Sequence, residues 1–189
     1  MSGPMREIST NDWGEKPANM LLEEFEQTAV TRHQYDHFSI PPLLQTPEYA
    51  AAILKAQGSS DIDLGVHHIR ERQRFHAENG TLCTFFIPQA VLDVRVDDTW
   101  EKQQEHLITE SCGPNTVIRI IPREQFFKAH PAVLVQTSSC RRQVYLESPI
   151  HKSCLSDGKD MLHLSAIMFY RLGEVALSEF ESAELLRNS

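Results

Sequence analysis

The segment from Ile40 to Tyr49 constrains the fold more than any other stretch, because three of its ten residues are prolines. Pro41 and Pro42 fix φ and hold the residues before them in extended geometry, so no helix can continue through them. Thr46 followed by Pro47 is typical of a helix N-cap and first helical residue, since the hydroxyl accepts a backbone N–H and proline has none to leave unpaired. The segment therefore predicts a turn that leads into a helix beginning at Pro47.

Apolar periodicity and cap residues predict the other helices. An amphipathic helix is expected from Ala18 to about Arg32, with Glu26 on its polar face. The helix from Pro47 should end at Gly58, which suits a left-handed cap. Three further helices are predicted at residues 61–79, 98–111 and 160–172, and a final helix begins at Ser178 with a capping box completed by Glu181. The inward face of the third helix is predicted to carry Leu64, His68, Ile69 and Phe75.

Four β-branched or aromatic runs predict strands, at residues 81–87, 116–121, 132–137 and 143–147. A short connection between the last two suits a hairpin, and adjacent strands with short loops favour antiparallel pairing. The expected fold is α+β, with a small, mainly antiparallel sheet packed against several helices. Residues 1–17, which include a lone Trp13, are predicted to be a flexible tail or linker, and residues 18–189 form a single domain.

The charge of the chain argues against direct binding of nucleic acid. Its 18 lysine and arginine residues against 26 aspartate and glutamate residues give a net charge of −8, which repels the phosphate backbone. No apolar run is long enough to cross a bilayer, and the N-terminus has no basic segment followed by an apolar core. We therefore expect a cytoplasmic protein without a membrane association.

The sequence offers no signature of a metal or cofactor site. The four cysteines lack a Cys-x-x-Cys pair and are expected to be free thiols, and His33 and His37 lie four apart without an identifiable third ligand. Neither a phosphate-binding glycine loop, a dinucleotide fingerprint nor a Gly-x-Ser-x-Gly nucleophile motif is present. We predict no metal and no cofactor, whereas acid–base catalysis by a few side chains in a pocket stays open.

Four side chains are candidates for ligand binding from their positions in the predicted elements. Gln45 lies just before the helix cap and Tyr49 lies one turn inside the helix, where both can contact a ligand or can lock the loop to the core. Tyr145 and Glu147 lie at the end of a strand that faces helices, where pockets commonly form. The Glu147 carboxylate can alternatively make a structural ion pair with Arg72 or Arg141.

Several motifs in order resemble the effector-like domain that follows the Xre-type helix-turn-helix in actinomycete antitoxin-like regulators. That family carries Pro-Gly-Leu-Leu-Gln-Thr followed by Tyr-Ala, and this chain has Pro41–Thr46 followed by Tyr49–Ala50, with Pro42 in place of glycine. The resemblance also covers an Arg-Gln pair on a helix, here Arg72–Gln73, and the closing residues 176–185. It implies Arg72 and Gln73 as further ligand-binding candidates.

The resemblance implies a function in transcription regulation. We expect a domain that senses a small metabolite or a cognate small protein, and the sequence leaves open whether it forms a homodimer. The alternative is a stand-alone, cofactor-independent enzyme of specialised metabolism, of the cyclase or isomerase type, that uses the same pocket. Family members carry a DNA-binding domain before this region, so the chain is interpreted either as an excised domain or as a protein that has lost its DNA reader.

Overall fold

A computed structural model describes residues 17–125, 129–147 and 153–189. The predicted tail at residues 1–17, with Trp13, lies outside these ranges except for Pro17, which precedes the first helix. The described residues form six α-helices and six β-strands. The helices are α1 (Ala18–Glu26), α2 (Pro47–Ala56), α3 (Ile62–Asn79), α4 (Trp100–Ser111), α5 (Lys159–Val175) and α6 (Glu179–Arg187). The strands are β1 (Ala29–Tyr35), β2 (Leu82–Pro88), β3 (Thr116–Ile121), β4 (Ala132–Thr137), β5 (Arg142–Leu146) and β6 (Cys154–Ser156).

The strands form one sheet in the order β3-β2-β1-β4-β5-β6. The pairs β1–β2 and β2–β3 are parallel, whereas β1–β4, β4–β5 and β5–β6 are antiparallel. The predicted α+β class is confirmed, and the sheet is mixed instead of mainly antiparallel. The parallel half arises because helices separate these strands in the chain, α2 and α3 between β1 and β2 and α4 between β2 and β3.

The first predicted helix is wrong in its second half. Helix α1 ends at Glu26, and residues 29–35 form the central strand β1, which was expected to be partly helix and partly a polar connection. The strand was not predicted because Arg32 and Gln34, which alternate with Thr31 and His33, are polar at positions where buried strands usually carry apolar residues. Arg32 and Gln34 are nevertheless buried in the fold.

Helices cover both faces of the sheet. One face carries Phe85, Ile87, Ile118 and Ile120, which pack with Leu44, Tyr49, Trp100, Leu107 and Leu186 from the surrounding helices and turns. The opposite face carries Tyr35, Phe86, Ile121 and Val144, which pack against Phe169 and Leu172 of α5. Arg32 and Gln34 therefore lie beneath the layer that contains α2, α3 and α4.

Local cap signals were accurate. Thr46, Asp61 and Ser178 each accept a backbone N–H at the start of α2, α3 and α6, and the capping box between Ser178 and Glu181 is complete. Gly58 and Gly80 have φ of 74° and 63°, which is the left-handed conformation expected after α2 and α3. Helix α4 is an exception, since it begins at Trp100 and Asp98 does not cap it.

The final helix closes one edge of the sheet. The Ser182 hydroxyl accepts the Ile120 amide at 2.9 Å, and the Leu177 amide donates to the Ile120 carbonyl at 2.8 Å. Arg119 donates to the carbonyl oxygens of Gly173, Ala176 and Leu177, at 2.7 to 2.9 Å. These bonds fasten the α5–α6 junction to β3.

Two predicted inward faces differ from the structure. On α3, Leu64 is 52% exposed and His68 is also exposed, and His76 is the only residue of that helix buried from solvent. On α5, helical periodicity predicts one apolar face for Met161, Leu164, Met168 and Leu172, but the Leu164 side chain is 61% exposed. Within the described ranges, the structure has no helix whose length and apolar character would let it cross a membrane.

Candidate functional site

A buried charge cluster lies between β1 and α3. Glu26, at the end of α1, accepts Arg32 Nε at 2.9 Å through Oε1 and Arg72 Nη2 at 2.9 Å through Oε2. Arg32 also donates to Gln34 Oε1 at 2.7 Å, and its Cζ lies 5.7 Å from the ring centroid of Phe85. We call Glu26, Arg32, Gln34, Arg72 and His76 the Glu26 cluster.

The environment keeps Glu26 ionised. Burial alone would raise the pKa of this carboxyl, but the neighbouring Arg32 guanidinium, the His76 ring and Arg72 outweigh burial and hold the pKa far below its usual range. Glu26 and Arg32 are each only 2% exposed. Their pairing satisfies the rule that buried charges occur with a partner of opposite sign.

His76 is the least satisfied member of the Glu26 cluster. It is 6% exposed, and neither ring nitrogen has a hydrogen-bond partner among the described residues. Its Nε2 lies 3.5 Å from Glu26 Oε2, which is longer than an N–H···O hydrogen bond. Arg72 Nε is also buried without a partner in the described part of the chain. Buried polar atoms are nearly always paired, so these atoms mark a place where a further group can bind.

An apolar cavity, cavity A, opens beside His76. It has a volume of about 300 Å³ and lies between α3, α4 and the neighbouring ends of β2 and β3. Its apolar wall is formed by Leu43, Leu44, Ala77, Cys83 and Phe85. Burial and nearby acidic groups raise the pKa of the Cys83 thiol to about 11, despite the opposing effect of Arg32, so the thiol is protonated near neutral pH.

The polar groups of cavity A come from the two helices and from the starts of β2 and β3. They are Gln73, Arg74 and His76 on α3, His106 and Glu110 on α4, and Thr81, Asn115 and Thr116 near the strand starts. An apolar wall with a few convergent polar side chains is the usual composition of a small-molecule site. In the part of the chain that the structure describes, no three His, Cys, Asp or Glu side chains are arranged to hold a metal ion.

A second cavity, cavity B, lies on the other side of His76. It has a volume of about 290 Å³ between α1 and α3, and its wall includes Glu26, Arg72 and His76. Glu23, Glu71 and Glu78 make its rim acidic, with Arg74 paired to Glu71 at 2.7 Å. His76 and Arg74 line both cavities, so the buried His76 ring lies next to an apolar space and to a charged one.

Gln45 and Gln73 meet at the proline-rich corner. Gln45 Nε2 donates to the Ile40 carbonyl at 2.6 Å, and Gln73 Nε2 donates to the carbonyls of Pro42 and Gln45 at 3.1 and 2.7 Å. Gln103, which the sequence did not single out, accepts the Thr46 amide at 2.8 Å and donates to Leu44 at 2.7 Å. These bonds tie the corner to α3 and α4, and thereby hold Leu43 and Leu44 in the wall of cavity A.

The remaining sequence candidates are dispersed. Tyr49 is 1% exposed in the core and lines neither cavity. Tyr145 lies on the same sheet face as Gln34, since both pair with Val133, and burial raises its pKa while Arg72 opposes the rise. Glu147 follows β5, and its pKa is raised by partial desolvation and then by the Asp36 carboxylate.

The predicted ion pairs of Glu147 differ from those found among the described residues. Arg72 binds Glu26 instead, and Arg141 stacks over Phe25 with its Cζ 5.6 Å from the ring centroid. The sequence therefore identified Arg72 but missed Glu26, Arg32 and His76. Periodicity could have marked Arg32 and His76 as buried, because both stand at inward positions of their elements. Arg32, however, lay in a segment interpreted as helix.

Comparisons with known proteins identify a family and a distant fold likeness. A family model described as a domain of unknown function, DUF5753, matches residues 20–188. A search of curated proteins found no match. Among solved structures, TrmBL2, an archaeal chromatin protein described as binding DNA in a novel mode, is similar over 90% of this chain at 11% identity and a TM-score of 0.45. The matched region spans 56% of that protein's length.

Proposed function

Because the chain belongs to the DUF5753 family, a family of unknown function, we propose its role from the geometry: a regulatory domain that senses a small molecule bound in cavity A. The proposal includes a relationship to the actinomycete Xre-type regulators and a cytoplasmic location, both of which derive from the sequence. A small protein partner is the other class of signal that such a domain could receive. Cavity A favours the small molecule, because a recess between two helices and a sheet suits a compact ligand better than a protein surface.

The observation that carries the proposal is the unpaired His76 at the wall of cavity A. It is the only buried residue of α3, a helix of 18 residues. Leaving a polar group buried and unpaired costs about 1 to 3 kcal/mol. A ligand that donates to or accepts from the ring would recover that free energy, and would do so only when its apolar part fills the adjoining space.

The wall of cavity A supports binding more strongly than covalent catalysis. Cys83 is the thiol in this wall, and its raised pKa of about 11 makes it a poor nucleophile near neutral pH. A cyclase or isomerase would need a side chain of cavity A to move a proton, and for the buried His76 the 3.5 Å separation from Glu26 gives the ring no close hydrogen-bonded partner to orient it. We therefore place the enzyme hypothesis second.

The test combines metabolite identification with a blocked cavity. Native mass spectrometry of the purified chain should detect a retained small molecule, or a thermal-shift screen of metabolites should find a stabilising one. A ligand present at 100 times its Kd should stabilise the fold by about 2.7 kcal/mol. The variant Ala77→Leu places a larger side chain in the wall of cavity A and should abolish the stabilisation by the ligand. Alanine and leucine both favour helix, so α3 should keep its structure.

A matched control is Ala56→Leu, which makes the same change at a residue of α2 that is exposed, as Ala77 is, but lines neither cavity. This variant should bind as the unchanged protein does. Equal stabilisation of the Ala77→Leu variant would place the ligand elsewhere and contradict the proposal. Turnover of the retained molecule into a product would favour the enzyme.

A further inference from the structure

The Glu26 cluster carries more positive than negative charge. Arg32 and Arg72 contribute two positive charges, and both contact Glu26, which contributes one negative charge. The remaining charge is concentrated at Arg72, which is 24% exposed and has its Nε buried without a partner among the described residues. A group that accepts hydrogen bonds and carries one negative charge would complete this arrangement.

Arg72 and His76 are close enough to bind one group together. Arg72 Nη2 and His76 Nε2 lie 2.9 and 3.5 Å from the same oxygen, Glu26 Oε2. They also lie one helical turn apart on α3, where side chains share a face. A carboxylate placed beside Glu26 could therefore accept from the Arg72 guanidinium and from the His76 ring at once.

His76 lies close to both the Arg72 guanidinium and the apolar wall of cavity A. Its ring lines both cavities, as Arg74 does, and no hydrogen bond from its nitrogens fixes it to the described residues. Turning the ring about χ1 or χ2 therefore breaks no hydrogen bond. An elongated molecule could occupy cavity A with its apolar part and present its charged end to Arg72.

We propose, building on the function inferred above, that the ligand is an amphipathic monocarboxylate. Its apolar body occupies cavity A, against Leu43, Leu44 and Phe85, and its carboxylate binds Arg72 and His76. Guanidinium–carboxylate pairs form two parallel hydrogen bonds, which makes Arg72 specific for a planar acid as well as for charge.

The acidic rim of cavity B decides between a carboxylate and a phosphate. Arg74 lies 2.7 Å from Glu71 and 3.9 Å from Glu78 and offsets one of these two charges, so the rim keeps the negative charge of the other and of Glu23. A dianion would exceed the single positive charge of the Glu26 cluster and would be repelled by these carboxylates. One negative charge on the ligand is therefore the best match.

The test measures three probes that share one apolar chain: octanoate, 1-octanol and octyl phosphate, each titrated calorimetrically into the 189-residue chain. Octanoate should bind roughly 10- to 100-fold more tightly than octanol, the range expected for hydrogen bonds to a charged group. Octyl phosphate should bind more weakly than octanoate. The Arg72→Gln variant should bind octanoate no better than octanol.

Two further variants separate charge recognition from folding. Arg70→Gln removes an exposed arginine from the same helix and should retain the preference for octanoate. His76→Phe preserves an aromatic ring but removes both nitrogens, and should reduce octanoate binding with little effect on octanol. Circular dichroism of each variant identifies any that fails to fold. If Arg72→Gln does not fold, Arg72→Lys is measured in its place and should lower the affinity for octanoate at least several-fold.

The outcomes distinguish this inference from the function beneath it. Equal affinity for octanoate and octanol, both lost in Ala77→Leu, would overturn the carboxylate but leave a ligand site in cavity A. Tighter binding of octyl phosphate, or octanoate binding unaffected by Arg72→Gln, would also overturn the inference. If Ala77→Leu does not change octanoate binding, the apolar part of the ligand does not occupy cavity A and the inference is wrong. If none of the three probes binds, the inference of a monocarboxylate is also wrong, and the metabolite screen alone tests the proposed function.

Discussion

At the scale of single residues, Glu26 determines how the interior tolerates charge. Its carboxylate is shared by Arg32 and Arg72 and lies 3.5 Å from His76, so two guanidinium groups depend on one acid. Replacing a buried ion pair by apolar residues can be harmless, but removing one partner leaves the other charge buried and uncompensated. Glu26 is therefore more important to stability than an ordinary glutamate of a helix terminus.

The first prediction concerns the variant Glu26→Gln at neutral pH. It should lower the free energy of unfolding by about 3 to 5 kcal/mol, because Arg32 would remain buried without its counter-charge. Urea unfolding followed by circular dichroism measures this difference. The control Glu105→Gln changes an exposed residue of α4 and should alter stability by no more than about 0.5 kcal/mol.

The same variant predicts a pH dependence of definite sign. The pKa of Glu26 is lower in the folded state than its ordinary value of 4.5, so the stabilisation is fully present above about pH 4.5 and is lost as pH falls below that value. The gap in stability between the unchanged protein and Glu26→Gln should narrow in acid. A gap that stays constant from pH 7 to pH 3 would contradict the assignment.

Sequence patterns could identify some residues of the site and not others. Arg72 was found through a motif. Glu26 was assigned to the polar face of a helix, because the three glutamates of that segment lie opposite its apolar residues. Burial of a charge depends on a partner distant in sequence, here 46 residues away for Arg72. No local pattern encodes that distance, so periodicity can mark Arg32 and His76 as inward-facing but cannot predict that they meet Glu26.

At the scale of elements, the proline-rich corner is held by three glutamine amides. Gln45, Gln73 and Gln103 together bond five backbone groups between Ile40 and Thr46. The corner makes only two backbone bonds of its own, from the Leu44 and Gln45 amides to the Pro41 and Pro42 carbonyls, so other carbonyl groups of the corner are paired by side-chain donors. These bonds place α3 and α4 at fixed positions on either side of cavity A.

The second prediction tests this corner through Gln103→Leu. Gln103 is fully buried, and its loss leaves the Thr46 amide and the Leu44 carbonyl without partners. The expected decrease in the free energy of unfolding is roughly 2 to 4 kcal/mol. The control Lys102→Gln alters a neighbouring exposed residue and should cost little, and an equally small effect for Gln103→Leu would show that the corner does not need this amide.

Element boundaries were predictable where the signal is local. The caps of α2, α3 and α6 need only residues within one turn, and all three are where the sequence indicated. Strand β1 could not be predicted from its own residues, because Arg32 and Gln34 are unusual in a buried strand. It is defined by its pairing with β2 and β4, which lie far away in the chain. The exposure of Leu64 and Leu164 has the same origin, since periodicity defines an apolar face without showing what covers it.

At the scale of the whole molecule, the layer above the sheet differs in packing from place to place. Around Tyr49 and Leu107 it is an apolar core, whereas α3 faces the sheet through Arg72, His76 and the two cavities. A helix with one buried residue gains little from apolar burial. Helix α3 should therefore open more easily than the strands beneath it.

The third prediction concerns hydrogen exchange. Amides of α3 in residues 66–79 should exchange by local opening at a lower free energy than amides of β1 and β2, which lie at the centre of the sheet. Mass spectrometry of peptic peptides measures both regions in one experiment. A bound ligand should slow exchange in α3 selectively, and protection of α3 equal to that of β2 without ligand would contradict this distribution of stability.

The attachment of α6 to β3 also bears on how the protein behaves in solution. An edge strand with unpaired amides and carbonyls is a template on which a second chain can add its own strand, and so begin aggregation. Helix α6 occupies this edge through the Ser182 hydroxyl, and the Leu177 amide beside it takes the Ile120 carbonyl. Because these bonds occupy the edge groups of Ile120, we expect a variant in which α6 is loosened to associate with itself through β3.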